Sequence, residues 1–247
     1  MDIFFELHQD LPREGPGDNP STRKALSLLT ELPPQPSILD IGCGPGMQTI
    51  ELARCTNGTI IAIDTHQPFL EKLKQQAQAE GLSDKITAIN MSMFALDFEA
   101  KRFDAIWSEG AIYIMGFEQG LRACQPLLKP KGYVAVTEIS WLRPQPPSEL
   151  QAFWAANYPG MRTVEENLEI VRAAGYRQVR HFVLPTSAWW EGYYTPQEAR
   201  IAMLRDKYRD DAEAIQLLDE SQLEIDLYRK YSDWYGYVFY IMQNPKV

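Results

Sequence analysis

Short apolar runs alternate with stretches of helical spacing along most of this chain. Residues 37–41 form the first run, a buried strand that leads straight into a glycine turn, and Ile50, Leu52 and Ala53 then predict a helix. The unit repeats. Residues 59–63 read as a second strand, and a helix opening at Pro68 sets Phe69, Leu73 and Ala77 on one face before Gly81 closes it. Residues 86–89 and 103–107 are the third and fourth strands, and Phe117, Leu121, Cys124 and Leu128 follow at helical spacing. Residues 129–132 then predict a turn into a fifth strand at 133–138. Strands alternating with helices build an α/β fold whose mostly parallel sheet is covered on both faces.

The flanks read differently. Pro12, Gly15, Pro16, Gly17 and Pro20 give an irregular lead-in, followed by one helix carrying Ala25, Leu26 and Leu29. After Trp141 a proline-rich stretch at 143–147 marks a loop, and Thr163 with Glu166 forms a capping box for a helix that Gly175 ends. A sixth strand is expected at 179–184. Between Trp189 and Asp233 the sequence turns polar and helical, with Ala214, Leu218, Ile225 and Tyr228 on one stripe, and 235–242 reads as the last strand.

Composition narrows the function classes. At 247 residues and 45% hydrophobic content the chain can bury the core of one large domain or a domain plus cap. No apolar run approaches the roughly 20 residues of a membrane-spanning helix, and the acidic start lacks a signal peptide's basic and apolar regions. The three cysteines, Cys43, Cys55 and Cys124, lack CxxC spacing, which fits a reducing cytoplasm. A net charge of −9 argues against a nucleic-acid partner, which needs clustered Lys and Arg. His66 and His181 have no metal spacing, and neither a GxSxG elbow nor a GxxxxGK[ST] loop occurs.

The chemistry concentrates in Asp40-Ile41-Gly42-Cys43-Gly44-Pro45-Gly46. Glycines at alternate positions let backbone approach a ligand where side chains would clash, and the bend lies at the carboxyl edge of the sheet. A dinucleotide fingerprint wants its third glycine one position later, where Met47 stands, and Asp40 puts negative charge beside the bend. A cationic ligand such as S-adenosylmethionine, with its sulfonium and ammonium groups, suits the bend better than a diphosphate. Asp64, closing the second strand, is placed to accept hydrogen bonds from both hydroxyls of a ribose.

These residues, with 103–107 and 128–132, resemble class I S-adenosylmethionine-dependent methyltransferases, most of all the ubiquinone-biosynthesis-type branch. The likeness covers about residues 36–140. It implies a Rossmann-like, mostly parallel seven-stranded sheet with an antiparallel last strand, helices on both faces and a small helical cap. It also implies a layout in which 1–36 cover the cofactor site, 37–185 form the core, 186–233 cap the substrate side and 234–247 return to the sheet. By the same likeness Gly42, Gly44 and Gly46 line the cofactor, Asp64 holds its ribose and Thr65 touches the adenine edge, with Asp40, Cys43, Phe94 and Ser108 beside them. Where many relatives place an aspartate for the adenine amine this chain has Ser92, then Met93.

Methyl transfer from a sulfonium needs alignment, exclusion of water and, for a protonated acceptor, removal of a proton. Glu109, just past the fourth strand, is the candidate for that catalytic duty and for the acceptor pocket. Tyr113, Trp189, Tyr193 and Tyr194 are candidate walls for a flat or cationic small molecule. His8, in a segment that could fold over the pocket with Phe4, reads as a surface histidine; Tyr228, Tyr231, Trp234, Tyr235 and Tyr237 read as structural. The expected function is therefore transfer of a methyl group to oxygen, nitrogen or carbon of a small molecule, leaving S-adenosylhomocysteine, by a cytoplasmic monomer or homodimer. A non-enzymatic S-adenosylmethionine-binding module and a nicotinamide-dependent oxidoreductase are the alternatives.

Overall fold

The computed structural model describes residues 3–8 and 11–245, excepting the side chains of Phe4 and Phe5. Its strands are β1 Ser37–Ile41, β2 Thr59–Asp64, β3 Ile86–Asn90, β4 Phe103–Ser108, β5 Leu128–Trp141, β6 Arg162–Thr163, β7 Arg177–Val183 and β8 Tyr235–Gln243. They lie in the order β3-β2-β1-β4-β5-β8-β7, and β6 pairs with β5 off that path. β8 runs antiparallel to both β5 and β7, while β1 to β5 are mutually parallel where they pair. The seven-stranded expectation thus matches the main path. The two-residue β6 is an addition, too short to carry a period.

Alternation along β1 explains the two-sided burial. Ile38 packs with Ile60, Ala105 and Trp107 on one face, under Ala25 and Leu29 from α2 Asn19–Ser27 and its following turn, and Leu52 and Ala53 from α3 Met47–Cys55. Leu39 and Ile41 pack on the other face with Ile106, Val134 and Val136, beneath Leu121 of α5 Phe117–Cys124 and Val171 of α7 Val164–Ala173. Fully burying one such side chain is worth about 1.5–3 kcal/mol, so this register is strongly fixed.

Two local readings change. Residues 129–132 were expected as a turn before the fifth strand, but β5 starts at Leu128 and these residues bulge out of the ladder, between the pairs Phe103 with Leu128 and Ala105 with Tyr133. Lys131 takes the positive φ of 64° that the bulge requires. Leu128 accordingly leaves the helical series and enters the sheet. After the proline-rich loop, α6 Ser148–Asn157 adds a helix that the sequence pattern did not mark.

The helical stretch after β7 forms a continuous rod of α8 Ser187–Trp189, a π-turn Trp190–Tyr194 and α9 Thr195–Lys207, followed by α10 Ala212–Tyr231. Trp189 stacks on Tyr228 of α10 with ring centres 4.1 Å apart. Leu150 and Trp154 of α6 and Leu7 of α1 Ile3–His8 join the same cluster. α4 Gln67–Ala79 covers the glycine bend from the β2 side through Leu70 and Leu73. Among the described residues no helix is long and apolar enough to cross a membrane.

Candidate functional site

β1 is the strand whose neighbours, β2 and β4, lead the chain in opposite directions, so a crevice opens beyond its carboxyl end. There Gly42 and Cys43 donate their amides to the Ile63 carbonyl at 2.9 and 3.0 Å, which fastens the bend to β2. Gly42 has φ +69°, and a Cβ placed on it would lie 2.4 Å from Ala111 Cβ. Gly46, at φ +93°, is excluded from carrying a Cβ by Leu73 Cδ1 at 2.3 Å. The two glycines therefore serve different ends. Gly42 and Gly44 line the crevice; Gly46 lets α3 and α4 close together and does not line it.

The cavity over the bend holds about 280 Å³. Asp64 stands at its rim, where Oδ2 accepts the Gly44 amide at 2.9 Å and Oδ1 the His66 amide at 2.8 Å. Thr65, Ser92, Met93 and Phe94 form the next wall, with Phe94 68% exposed, and Cys43 lines the floor. Burial pushes the Cys43 thiol well up, so it stays protonated there.

Two expected residues lie behind the wall. Asp40 is fully buried beneath the bend, accepts a 2.6 Å hydrogen bond from Thr49 Oγ1 and leaves Oδ1 without a partner among the described residues. Burial raises its carboxyl to about 7. Ser108 is also fully buried and donates to the Ile41 carbonyl at 2.9 Å, tying β4 to β1. Neither side chain lines the cavity.

Glu109 does reach the cavity wall, but its oxygens are engaged. Oε2 pairs with Arg13 Nη1 at 3.0 Å, and Oε1 accepts from Thr22 Oγ1 at 2.7 Å and Trp107 Nε1 at 2.8 Å. Arg13 also donates to Asn19 Oδ1 at 2.9 Å. Three donors, one of them a guanidinium, thus occupy this carboxylate. Arg13 itself and Glu14 line the cavity, and the sequence reading missed both. They sit in the irregular lead-in, where no period gives a side chain a direction; the run of prolines and glycines signalled only that backbone turns there.

A second cavity of about 450 Å³ adjoins the first, and Glu14, Gly15, Pro16, Gly110 and Tyr113 line both. Tyr113, Trp189 and Tyr193 are on its wall as the sequence suggested. Tyr194 is not: it is fully buried, and its hydroxyl donates to Glu224 Oε1 at 2.8 Å. His8 proves buried and faces this cavity, against the reading of a surface histidine, because α1 packs against α9. Tyr237, taken as structural, faces it too; Phe4's side chain lies outside the described residues. Burial pushes the Tyr193 and Tyr237 phenols well up, so they act as hydrogen-bond donors. Among the described residues no group of three or more His, Cys, Asp and Glu is arranged to hold a metal ion.

Residues 38–132 match the family model described as a methyltransferase domain. Methyltransferase GfsG of Streptomyces halstedii is 30% identical over 103 residues, covering 41% of this chain and 37% of that protein. The sterol 24-C-methyltransferase of Debaryomyces hansenii is 29% identical over 102 residues, covering 41% and 27%. The chain thus spans roughly a third of the length of these curated relatives, and they do not specify the ubiquinone-biosynthesis-type branch. Among solved structures, an S-adenosyl-L-homocysteine complex of a Geobacter sulfurreducens methyltransferase superposes with TM-score 0.81 at 21% identity, covering 98% of this chain and 97% of that one. YjhP from E. coli superposes with TM-score 0.83 at 20% identity over the full length of both chains. These likenesses establish a shared fold. Residues 38–132 thus carry a methyltransferase domain, within a chain whose whole length shares the fold of these solved structures.

Proposed function

We propose that this chain transfers the methyl group of S-adenosylmethionine to a small-molecule acceptor. One observation carries the reading: the Asp64 carboxylate stands beside a side-chain-free bend at the rim of a cavity that opens, through a shared wall, into a second one. When bound, the cofactor supplies a methyl group already activated on a sulfonium.

The chain's own groups fit that cofactor. Each Asp64 oxygen accepts one amide and keeps a further lone pair for a ribose hydroxyl. Arg13 offers its guanidinium to the amino-acid carboxylate, and Glu109 holds it there. We therefore assign Glu109 a positioning part in place of proton removal. Met93 and Phe94 offer a thioether and a ring to the adenine faces, and Ser92 one polar contact to its edge. Residues 186–233 act as the cap over the acceptor, with Tyr113, Trp189 and Tyr193 as its wall. The three cysteines are free, which fits our placement of the protein in the cytoplasm, as a monomer or homodimer. The joined second cavity favours turnover over a binding module without an acceptor.

The test is calorimetric titration with S-adenosylmethionine and S-adenosylhomocysteine. Asp64→Ala is expected to weaken both by more than about tenfold, the loss of two charge-assisted hydrogen bonds, while the protein stays folded. Unchanged affinity would remove Asp64 from the site. Incubation with methyl-labelled cofactor and a metabolite extract should then yield a labelled small molecule.

A further inference from the structure

The second cavity is short of positive charge. Glu14 and Glu224 line it, and neither lysine nor arginine is among its lining residues. Behind its Tyr158 ring, Glu138 is 1% exposed, with Oε1 accepting the Tyr158 hydroxyl and Oε2 lacking a partner among the described residues. Glu14 Oε1 and the indole nitrogen of Trp189, on the cavity wall, are likewise buried without a partner. A buried carboxylate with no cation is costly, and burial accordingly raises Glu14 to about 8, Glu138 to about 7 and Glu224 upward. The faces of Tyr113, Tyr158, Trp189, Tyr193 and Tyr237 around them attract cations as well. An anionic acceptor would meet no lysine or arginine among the lining residues.

We infer that the second cavity takes a protonated amine as the methyl acceptor and that Glu14, which lines both cavities, receives its proton. This rests on the function proposed above. The ammonium gives one proton to the Glu14 carboxylate. The freed nitrogen lone pair forms the new N–C bond as the sulfur–methyl bond breaks and leaves its electron pair on sulfur. The products are a methylated ammonium and S-adenosylhomocysteine, and the carboxylic acid of Glu14 returns its proton to water. Other groups facing Glu14 are Lys72 of α4, Asp64 at the end of β2, Tyr193 of the π-turn and His8 of α1. Lys72 already donates to the Leu11 carbonyl and does not line either cavity.

The full chain, saturated with S-adenosylhomocysteine, is titrated calorimetrically with benzylamine, 2-phenylethylamine and tyramine, each beside the alcohol and the carboxylate of the same skeleton. At least one amine is expected to bind about tenfold or more tighter than its alcohol, with the carboxylate not binding. In buffers of different ionisation heat that binding releases protons, and its affinity rises as pH climbs toward 8. Glu14→Gln should weaken it tenfold or more and abolish the proton release attributable to Glu14. Glu224→Gln should weaken the amine alone. An alcohol or carboxylate that binds as well as its amine, amine affinity independent of pH, or no amine binding at millimolar concentration overturns the inference while leaving the methyltransferase reading intact. Failure of S-adenosylhomocysteine itself to bind overturns the reading beneath it.

Discussion

Replacing Glu109 with glutamine separates a proton acceptor from a structural clamp. The amide keeps the side chain's shape and one acceptor for Thr22 and Trp107, but it turns an amino group or an uncharged oxygen toward Arg13. The two side chains are only 7% and 3% exposed, so the guanidinium is left with Asn19 and no counter-ion within contact. Breaking a buried pair from one side costs about 3–5 kcal/mol, and the surviving Asn19 bond points to the lower end, about 3 kcal/mol. Urea unfolding of Glu109→Gln, Arg13→Met and the double variant forms the assay. The double variant should recover at least about 1 kcal/mol relative to the sum of the singles, since it leaves no unpaired charge. Loss of Arg13's anchor should also weaken S-adenosylhomocysteine binding. If Glu109→Gln unfolded at the wild-type urea concentration yet lost turnover, the clamp would be refuted and the carboxylate would regain its claim as a base.

Gly42→Ala and Gly46→Ala both force an L-residue into left-handed backbone, at about 1–2 kcal/mol, and both meet a neighbour under 2.5 Å, which adds about 1–3 kcal/mol. Thermal melts should drop for both, whereas calorimetry should find the cofactor affinity lost mainly in Gly42→Ala, because only that Cβ projects at the cavity wall formed by Ala111. The pH profile of stability follows from Asp40 and Glu138, each raised by burial to about 7 from ordinary carboxylate values. Raised carboxyls stabilise the fold fully below about pH 4 and lose that contribution as pH rises through about 7. The melting temperature of the ligand-free protein should therefore fall from pH 5 to pH 8, and Glu138→Gln should flatten the slope; a melting temperature that rises over this range contradicts the assignment.

The sheet was legible because its inner strands β1, β4 and β5 are buried and largely apolar on both faces and its helices carry one apolar stripe, two periods that survive in a single sequence. Gly42, Gly44 and Asp64 were legible for a related reason: they sit where a strand ends and the chain has one direction to go. Gly46 looked equivalent to its neighbours because sequence spacing cannot tell a clash with ligand from a clash with Leu73. Arg13, Glu14 and His8 were invisible as site residues because long-range packing of the lead-in, such as the Gly17 amide on the Ala188 carbonyl at 3.0 Å, alone decides where they point. Tyr194 was misplaced for want of one fact, the π-turn, which re-aims the rings that follow Trp189, while Tyr237 sits on β8, whose run of apolar residues does not show which ring meets a cavity.

That wider turn restricts how this rod can vary. Trp189 before it and Ile201 and Leu204 after it are all buried, because the wider turn absorbs one residue and so keeps all three on one face. Removing one position from 190–194 would close the turn to regular α-helix spacing with the indole and the two aliphatic anchors still in phase, whereas adding one that the turn does not absorb would rotate one half against the other by about 100°. The rod therefore tolerates the loss of one position there better than the gain of one.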